Sequence, residues 1–342
     1  MKTGLIIGLA LLFFLSCQKE QQPTVPAEES LLLVVPKGFP EPEFPADNEL
    51  TAARFTLGKR LFYDVVMSRD SSISCASCHA PDRAFSDSVA FSPGAGGAPG
   101  KRNSPTLANV AYQPYYTREG GVPTLEMQIL VPIQEHNEFD FNILLIAERL
   151  KTDPSYVLLS RKAYGRDPDF YIITRSIACF ERTLISGESR YDQFVYSGWP
   201  DALTTAEKRG MDLFFSDRTD CSKCHSGFNF SNYAFENNGL YEDYPDVGRF
   251  RLTGDSSDLA RFKVPTLRNV AFTAPYMHDG SLPTLESVVE HYDSGGKPHP
   301  HRSALVRPLG LTVEERADLV AFLKSLSDEQ FVSDPRFKKQ IY

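Results

Sequence analysis

Two short strings, Cys75-Ala-Ser-Cys78-His79 and Cys221-Ser-Lys-Cys224-His225, constrain this chain more than any other feature. Two thiols at that spacing reach both vinyl groups of one haem, and the residue that follows projects beneath the iron, where histidine supplies the proximal imidazole. A C-x-x-C pair can instead hold zinc or cycle as a redox dithiol. A zinc site, however, needs two further Cys or His ligands, and no matching second pair accompanies either string. The strings therefore read as attachment sites for two covalently bound haem c groups. Cys75, Cys78, Cys221 and Cys224 would form the thioethers, with His79 and His225 on the irons.

Each string heads one copy of an internal repeat. Pro105-Thr-Leu-Ala-Asn-Val-Ala111 returns as Pro265-Thr-Leu-Arg-Asn-Val-Ala271, and Tyr116-Thr-Arg-Glu-Gly-Gly-Val-Pro-Thr-Leu-Glu126 returns as Tyr276-Met-His-Asp-Gly-Ser-Leu-Pro-Thr-Leu-Glu286. Both pairs align at one offset without gaps and in the same order. The expected fold is mainly α, with two related cytochrome c-like haem domains produced by duplication, residues 49–200 and 201–342. Glu126 and Glu286 recur at one repeat position, which marks them as structural.

Ahead of the repeats, Lys2 and the apolar run Gly4 to Leu15 form a signal segment (residues 1–16) too short for a comfortable bilayer span. Leu15-Ser16-Cys17 reads as a lipobox, with Cys17 acylated and the protein anchored to a membrane in the periplasm. The Pro- and Glu-rich stretch from residue 17 to 48 reads as a tether. With Cys17 lipidated and four cysteines on haem, only Cys179 remains of the six, so no internal disulfide is expected. A net charge of -8 with dispersed Lys and Arg argues against nucleic acid.

Apolar periodicity predicts helices over Glu49–Tyr63, Asn142–Arg149, Pro154–Ala163, Asp169–Leu184 and Thr204–Phe215, and from the Thr312 cap to Leu326. Strand signals are sparse, and Phe91 to Gly100 is a Gly- and Pro-rich loop. Between His79 and the end of the first repeat there is no histidine, and the only methionine is Met127, so the first iron is expected to be open or weakly capped. The second half offers Met277, His278, His291 and Tyr292 as groups that could close its iron.

Leu57-Gly-Lys-Arg-Leu-Phe62, Ser74 to His79, Arg102-Asn-Ser-Pro-Thr106, Phe180-Glu-Arg-Thr183, Val264 to Asn269, Ala274-Pro-Tyr-Met-His-Asp-Gly280 and His291-Tyr292 occur in that order. This set resembles the bacterial di-haem cytochrome c peroxidases and their MauG-like relatives, over nearly all of residues 50–330. The resemblance implies that the N-terminal haem is the peroxide site and that Gln128 and Glu138 line its distal face. A carboxylate there can carry a proton between the two peroxide oxygens. It places Tyr292, as in MauG-like proteins, where peroxidases carry a methionine ligand; Met277 is the alternative. A phenolate stabilises ferric iron, so Tyr292 implies a lower potential than a thioether would give.

The resemblance further implies a calcium ion between the domains, on the Asn103 side chain and the carbonyls of Thr273 and Pro275. It also implies a homodimer, and a small cytochrome or copper protein as electron donor. Two departures stand out. The Phe91–Gly100 loop lacks the histidine that caps the resting iron in peroxidases, and Arg118 replaces their inter-haem tryptophan. The sole tryptophan, Trp199, reads as an interdomain packing residue, Cys179 as a buried thiol, and His136, His278, His291, His299 and His301 as loop or hydrogen-bonding residues. The leading function is reduction of hydrogen peroxide. The alternatives are a MauG-like oxidase of a protein or organic substrate, and a non-catalytic di-haem electron carrier.

Overall fold

A computed structural model describes residues 32–339, and the lipobox and signal segment lie outside them. The described chain is mostly helical. Its strands are the two-residue pair Phe235–Glu236 and Phe262–Lys263, joined antiparallel. No described helix is long and apolar enough to cross a membrane.

Two helix crossings organise the molecule. Ala52–Tyr63 begins at Thr51, whose hydroxyl accepts from Arg54 N at 3.2 Å, and buries Phe55, Leu61 and Phe62. It crosses Phe170–Glu181, with Gly58 at the closest point: a Cβ on Gly58 would stand 1.8 Å from the Ser176 carbonyl oxygen. Thr205–Phe214 crosses Val313–Ser325 in the same manner, with Gly210 against the Asp318 carbonyl at 1.9 Å. Only glycine allows backbones to approach so closely. Both helices of the second pair open with a capping box, Thr204 with Glu207 and Thr312 with Glu315.

The repeated segments adopt matching conformations. Asn109 and Asn269 are both left-handed, and their N–H groups bond Leu184 O at 2.8 Å and Leu326 O at 3.0 Å, each just past a crossing helix. Tyr116 with Val122 and Tyr276 with Leu282 close equivalent turns. Each half has its own apolar core, one around Phe62, Phe85, Ile177 and Phe180 and the other around Phe214, Phe230, Phe322 and Leu285.

The chain crosses between the cores in a way that residue 200 does not mark. Tyr191 packs in the second core, whereas Phe331 and Phe337 return to the first, 5.7 and 6.1 Å from the Phe85 ring. Lys59 Nζ and the Tyr63 hydroxyl hold that tail by donating to the carbonyls of Arg336 and Phe337.

Other expectations are corrected. The final part of the 17–48 segment is packed rather than a free tether. Phe39 lies edge-on to Tyr112, Tyr196 and Phe228, and buried Asn48 donates to Glu126 Oε1 at 2.8 Å and Arg175 O at 2.9 Å. Trp199 is 59% exposed and so is no packing residue; its segment turns outward just after the short helix Arg190–Val195. Leu285–Ser294, not anticipated as a helix, starts at a Thr284–Ser287 capping box.

Candidate haem sites

Both C-x-x-C-H strings form a single helical turn, Cys75–Cys78 and Cys221–Cys224, after which the histidine leaves the helix. His79 N bonds Cys75 O at 3.0 Å, and His225 N bonds Cys221 O at 2.9 Å. His79 Nδ1 lies 2.9 Å from Phe85 O, and His225 Nδ1 lies 3.1 Å from Phe230 O. A carbonyl can only accept, so Nδ1 carries the proton in each ring and Nε2 keeps its lone pair for a metal. Phe85 and Phe230 both have positive φ, 58° and 50°, which turns their carbonyls toward the rings.

The donor set fits haem. All four thiols are free of disulfides. Burial raises each of them, Cys78 and Cys224 to about 11. Among the described residues, no group of three or more His, Cys, Asp or Glu could hold a metal ion. Burial also lowers both imidazoles and keeps them neutral, although His79 and His225 retain some accessible surface.

Glu138 lies near the first string. The Glu138 carboxylate is among the charges that raise both Cys75 and Cys78. Loss of solvation, reinforced by Glu135, pushes its own carboxyl up to about 7, although the residue as a whole is exposed. The Phe91–Gly100 loop backs it: Ala95 N donates to Glu138 O at 2.7 Å, and a Cβ on Gly94 would stand 2.2 Å from Asn137 O. Gln128 ends the turn Leu125–Gln128, and its Oε1 is buried without a hydrogen-bond partner. An orphaned buried acceptor is costly unless something else meets it. Glu126, in the same turn, is committed elsewhere, in a two-pronged bond from Arg182 at 2.6 and 2.9 Å. Met127 is half exposed, and His136 is 90% exposed and paired with Asp140, so neither sits buried like Gln128 Oε1.

In the second half Tyr292 is pushed up to about 12, by burial and then by lesser effects that include the Cys224 and Cys221 thiols. The phenol therefore lies near the second string. Met277 takes a positive φ of 78°, and its Sδ accepts from Asn238 Nδ2 at 3.1 Å. His278 stacks on Phe262 at 4.2 Å between ring centres and is held down to about 4, mainly by burial. His291 Nε2 bonds Asn238 O at 3.0 Å, and His299 Nδ1 lies 3.2 Å from Asn237 Nδ2. His278, His291 and His299 thus make stacking or hydrogen-bonding contacts.

Asn103 is buried where the halves meet. Its Nδ2 donates to Val89 O at 3.1 Å, its N–H to His278 O at 2.9 Å, and its carbonyl accepts from Arg118 Nη2 at 2.6 Å. The Thr273 hydroxyl bonds Val270 O at 3.2 Å, and Pro275 follows a cis peptide. Arg118 is lowered to about 10 by burial and by Arg102, and Lys263 to about 7 by burial and by Arg118. Lys263 Nζ donates to neutral acceptors, Gln113 Oε1 at 2.6 Å and Tyr115 O at 2.8 Å. Asn238 and Lys263 escaped the sequence reading. Asn238 stands in an Asn-Asn-Gly turn, and Lys263 carried no signal beyond its place beside the second repeat.

Comparison with known proteins agrees with this geometry. Residues 52–198 match the family described as "Di-haem cytochrome c peroxidase". The methylamine utilization protein MauG of Methylorubrum extorquens is 36% identical over 321 residues, 92% of this chain and 90% of that protein. Cytochrome-c peroxidase IdrP1 of Denitromonas iodatirespirans is 34% identical, over 84% of this chain and 85% of its own length. A solved MauG-like protein associated with microbial copper homeostasis superposes with a TM-score of 0.84 at 36% identity, covering 89% of this chain and 97% of that one. With two haem c attachment sites and relatives that align along almost their whole length, the chain belongs to the family of bacterial di-haem cytochrome c peroxidases and MauG proteins.

Proposed function

We propose that this protein reduces hydrogen peroxide to two waters, taking two electrons from a small cytochrome or copper protein and two protons from solvent. The observation that carries the reading is a carboxyl near neutrality, that of Glu138, close enough to the first haem string to act on both of its thiols; the unpartnered Gln128 Oε1 is a second support. Cys75, Cys78 and His79 would hold the first haem, which would supply the redox chemistry that reduces peroxide. Glu138 takes the proton from one peroxide oxygen and returns it to the other, which leaves as water. Gln128 orients the peroxide, and the Phe85 carbonyl fixes the His79 tautomer. Cys221, Cys224, His225 and Tyr292 would hold the second haem, which would take electrons from the donor protein.

The two halves, near residues 49–200 and 201–342, derive from one duplicated haem domain; the matched turns and glycine crossings support this. A calcium ion between them, on the Asn103 side chain and the carbonyls of Thr273 and Pro275, belongs to the same reading, because oxygen donors suit that ion. So do a homodimer and a periplasmic location with a lipid on Cys17. Glu138→Ala in the haem-loaded protein tests the assignment: peroxide turnover with a reduced donor should fall on the order of 10²–10⁴-fold. Unchanged turnover would remove Glu138 from the mechanism.

A second reading, a MauG-like oxidase that draws electrons from a protein or organic substrate, is favoured by the placement of Tyr292 beside the second string. Oxidation of such a substrate after peroxide addition, with no acceleration by a reduced small redox protein, would select it.

A further inference from the structure

We propose that the junction between the halves carries two related cation sites and that the Lys263 side chain fills the second, its ammonium standing where the first takes a calcium ion. The inference rests on the reading of Asn103, Thr273 and Pro275 as calcium ligands in a duplicated chain, and it gives a role to a lysine that peroxide reduction does not use. The offset that carries Pro105 onto Pro265 and Tyr116 onto Tyr276 also carries Asn103 onto Lys263, Gln113 onto Thr273 and Tyr115 onto Pro275. Lys263 Nζ donates to Gln113 Oε1 at 2.6 Å and to Tyr115 O at 2.8 Å. The side chain at the Asn103 position of one repeat thus meets the Thr273 and Pro275 positions of the other.

The backbone makes the two places equivalent as well. Asn103 N donates to His278 O at 2.9 Å, and Lys263 N donates to Arg118 O at 2.7 Å; Arg118 and His278 share one repeat position. Each half therefore lays the segment ahead of its Pro-Thr-Leu string against a turn of the other half. Neutral amide and carbonyl oxygens are the donors that calcium prefers, and they serve an ammonium equally well. Nζ also stands over the Tyr115 ring, 5.6 Å from its centre, within range of a cation–π contact. Burial and Arg118 pull the amine down to about 7, whereas bonds to the two oxygens favour its charged form. The sites differ in one respect: Gln113 offers its side-chain oxygen where Thr273 would offer its carbonyl. A tethered ammonium cannot dissociate, so the second tie between the halves holds without free metal and only the first yields to a chelator.

The test counts calcium bound by haem-loaded, chelator-stripped protein in equilibrium dialysis at about 10 mM, above the ~10⁻³ M dissociation constants of weak extracellular sites. Lys263→Asn copies the residue of the first half into the second. The parent should bind one ion per chain and Lys263→Asn two, and adding Gln113→Leu to Lys263→Asn should return the count to one. If Lys263→Asn keeps the parent's count, the inference is overturned. Asn103→Leu tests the underlying reading separately: it should bring the parent to none and Lys263→Asn to one. A parent that binds none refutes the reading of the first site, and Lys263 is then judged on whether Lys263→Asn gains an ion that Gln113→Leu removes. Should Lys263→Asn not yield folded protein, Asn103→Lys makes the reciprocal exchange. In chelator it should melt with the calcium-loaded parent, and Asn103→Leu with the stripped parent; an Asn103→Lys that melts as low as Asn103→Leu would overturn the inference.

Discussion

Glu126 and Glu286 occupy the same repeat position in opposite surroundings, and replacing each by alanine should give very different results. Arg182 grips both oxygens of Glu126, at 2.6 and 2.9 Å, and Asn48 adds a third bond at 2.8 Å. The Arg182 and Glu126 side chains are only 6% and 11% exposed. Burial alone would raise the Glu126 carboxyl; the Arg182 and Asn48 bonds outweigh it and hold the group below its ordinary range. Glu286 meets Lys324 at 3.1 Å with both side chains more than half exposed. Glu126→Ala strands a buried guanidinium, which costs about 3–5 kcal/mol, or roughly 4–7 °C in melting temperature for a chain of this size. Glu286→Ala removes a surface pair worth about 0–1 kcal/mol. Replacing Glu126 and Arg182 together by apolar residues of similar volume should recover most of the loss, because no charge is then left unpaired. Thermal unfolding of the haem-loaded protein, followed by circular dichroism, reads all three variants against the parent. Equal losses from the two glutamates, or a double variant no more stable than Glu126→Ala, would refute the reasoning.

Three further outcomes follow from the site. The Glu138 carboxyl sits near 7, and its base form is the one that accepts the peroxide proton, so kcat/KM for peroxide should rise with pH through about 7; Glu138→Gln should abolish that limb, and a limb that survives would belong to another group. Burial raises Glu181 to about 8. Between its ordinary value and about 8 the folded chain holds a proton that the unfolded chain has lost. Stability should therefore fall as pH rises across that window, by on the order of a few kcal/mol; denaturant melts on either side of it should show the fall in the parent and not in Glu181→Gln. Gly94→Ala should push the Asn137–Glu138 backbone away and break the 2.7 Å bond from Ala95, lowering turnover while haem content per chain is unchanged; parent-like turnover would show that this loop does not position Glu138.

The features most legible in the sequence were those whose physics is local. The haem strings declare themselves through four adjacent-pair thiols and two histidines, and Thr204 and Thr312 announce their helices through capping residues three positions apart. Features built by long-range contact were not legible. Nothing near Phe331 or Phe337 says that they complete a core begun at Phe55, and the Pro- and Glu-rich composition ahead of Asn48 conceals a buried amide that bridges Glu126 and Arg175. Trp199 misled because a lone large aromatic suggests burial, whereas its turn faces solvent. Asn238 acts on Met277 and on a helix more than fifty residues away, a relation that only the fold creates. Glu138 needed the resemblance to stand out among many carboxylates, since its environment is assembled by the Gly94 turn and not by its neighbours in sequence.

Electron paramagnetic resonance of the resting, haem-loaded protein, repeated after one-electron reduction, addresses the difference between the two metal centres. The account predicts a high-spin ferric signal from the centre on His79, which has no strong sixth ligand, beside a low-spin signal from the centre on His225 that changes on Tyr292→Phe. Two low-spin centres in both redox states would contradict it, because peroxide would then have nowhere to bind.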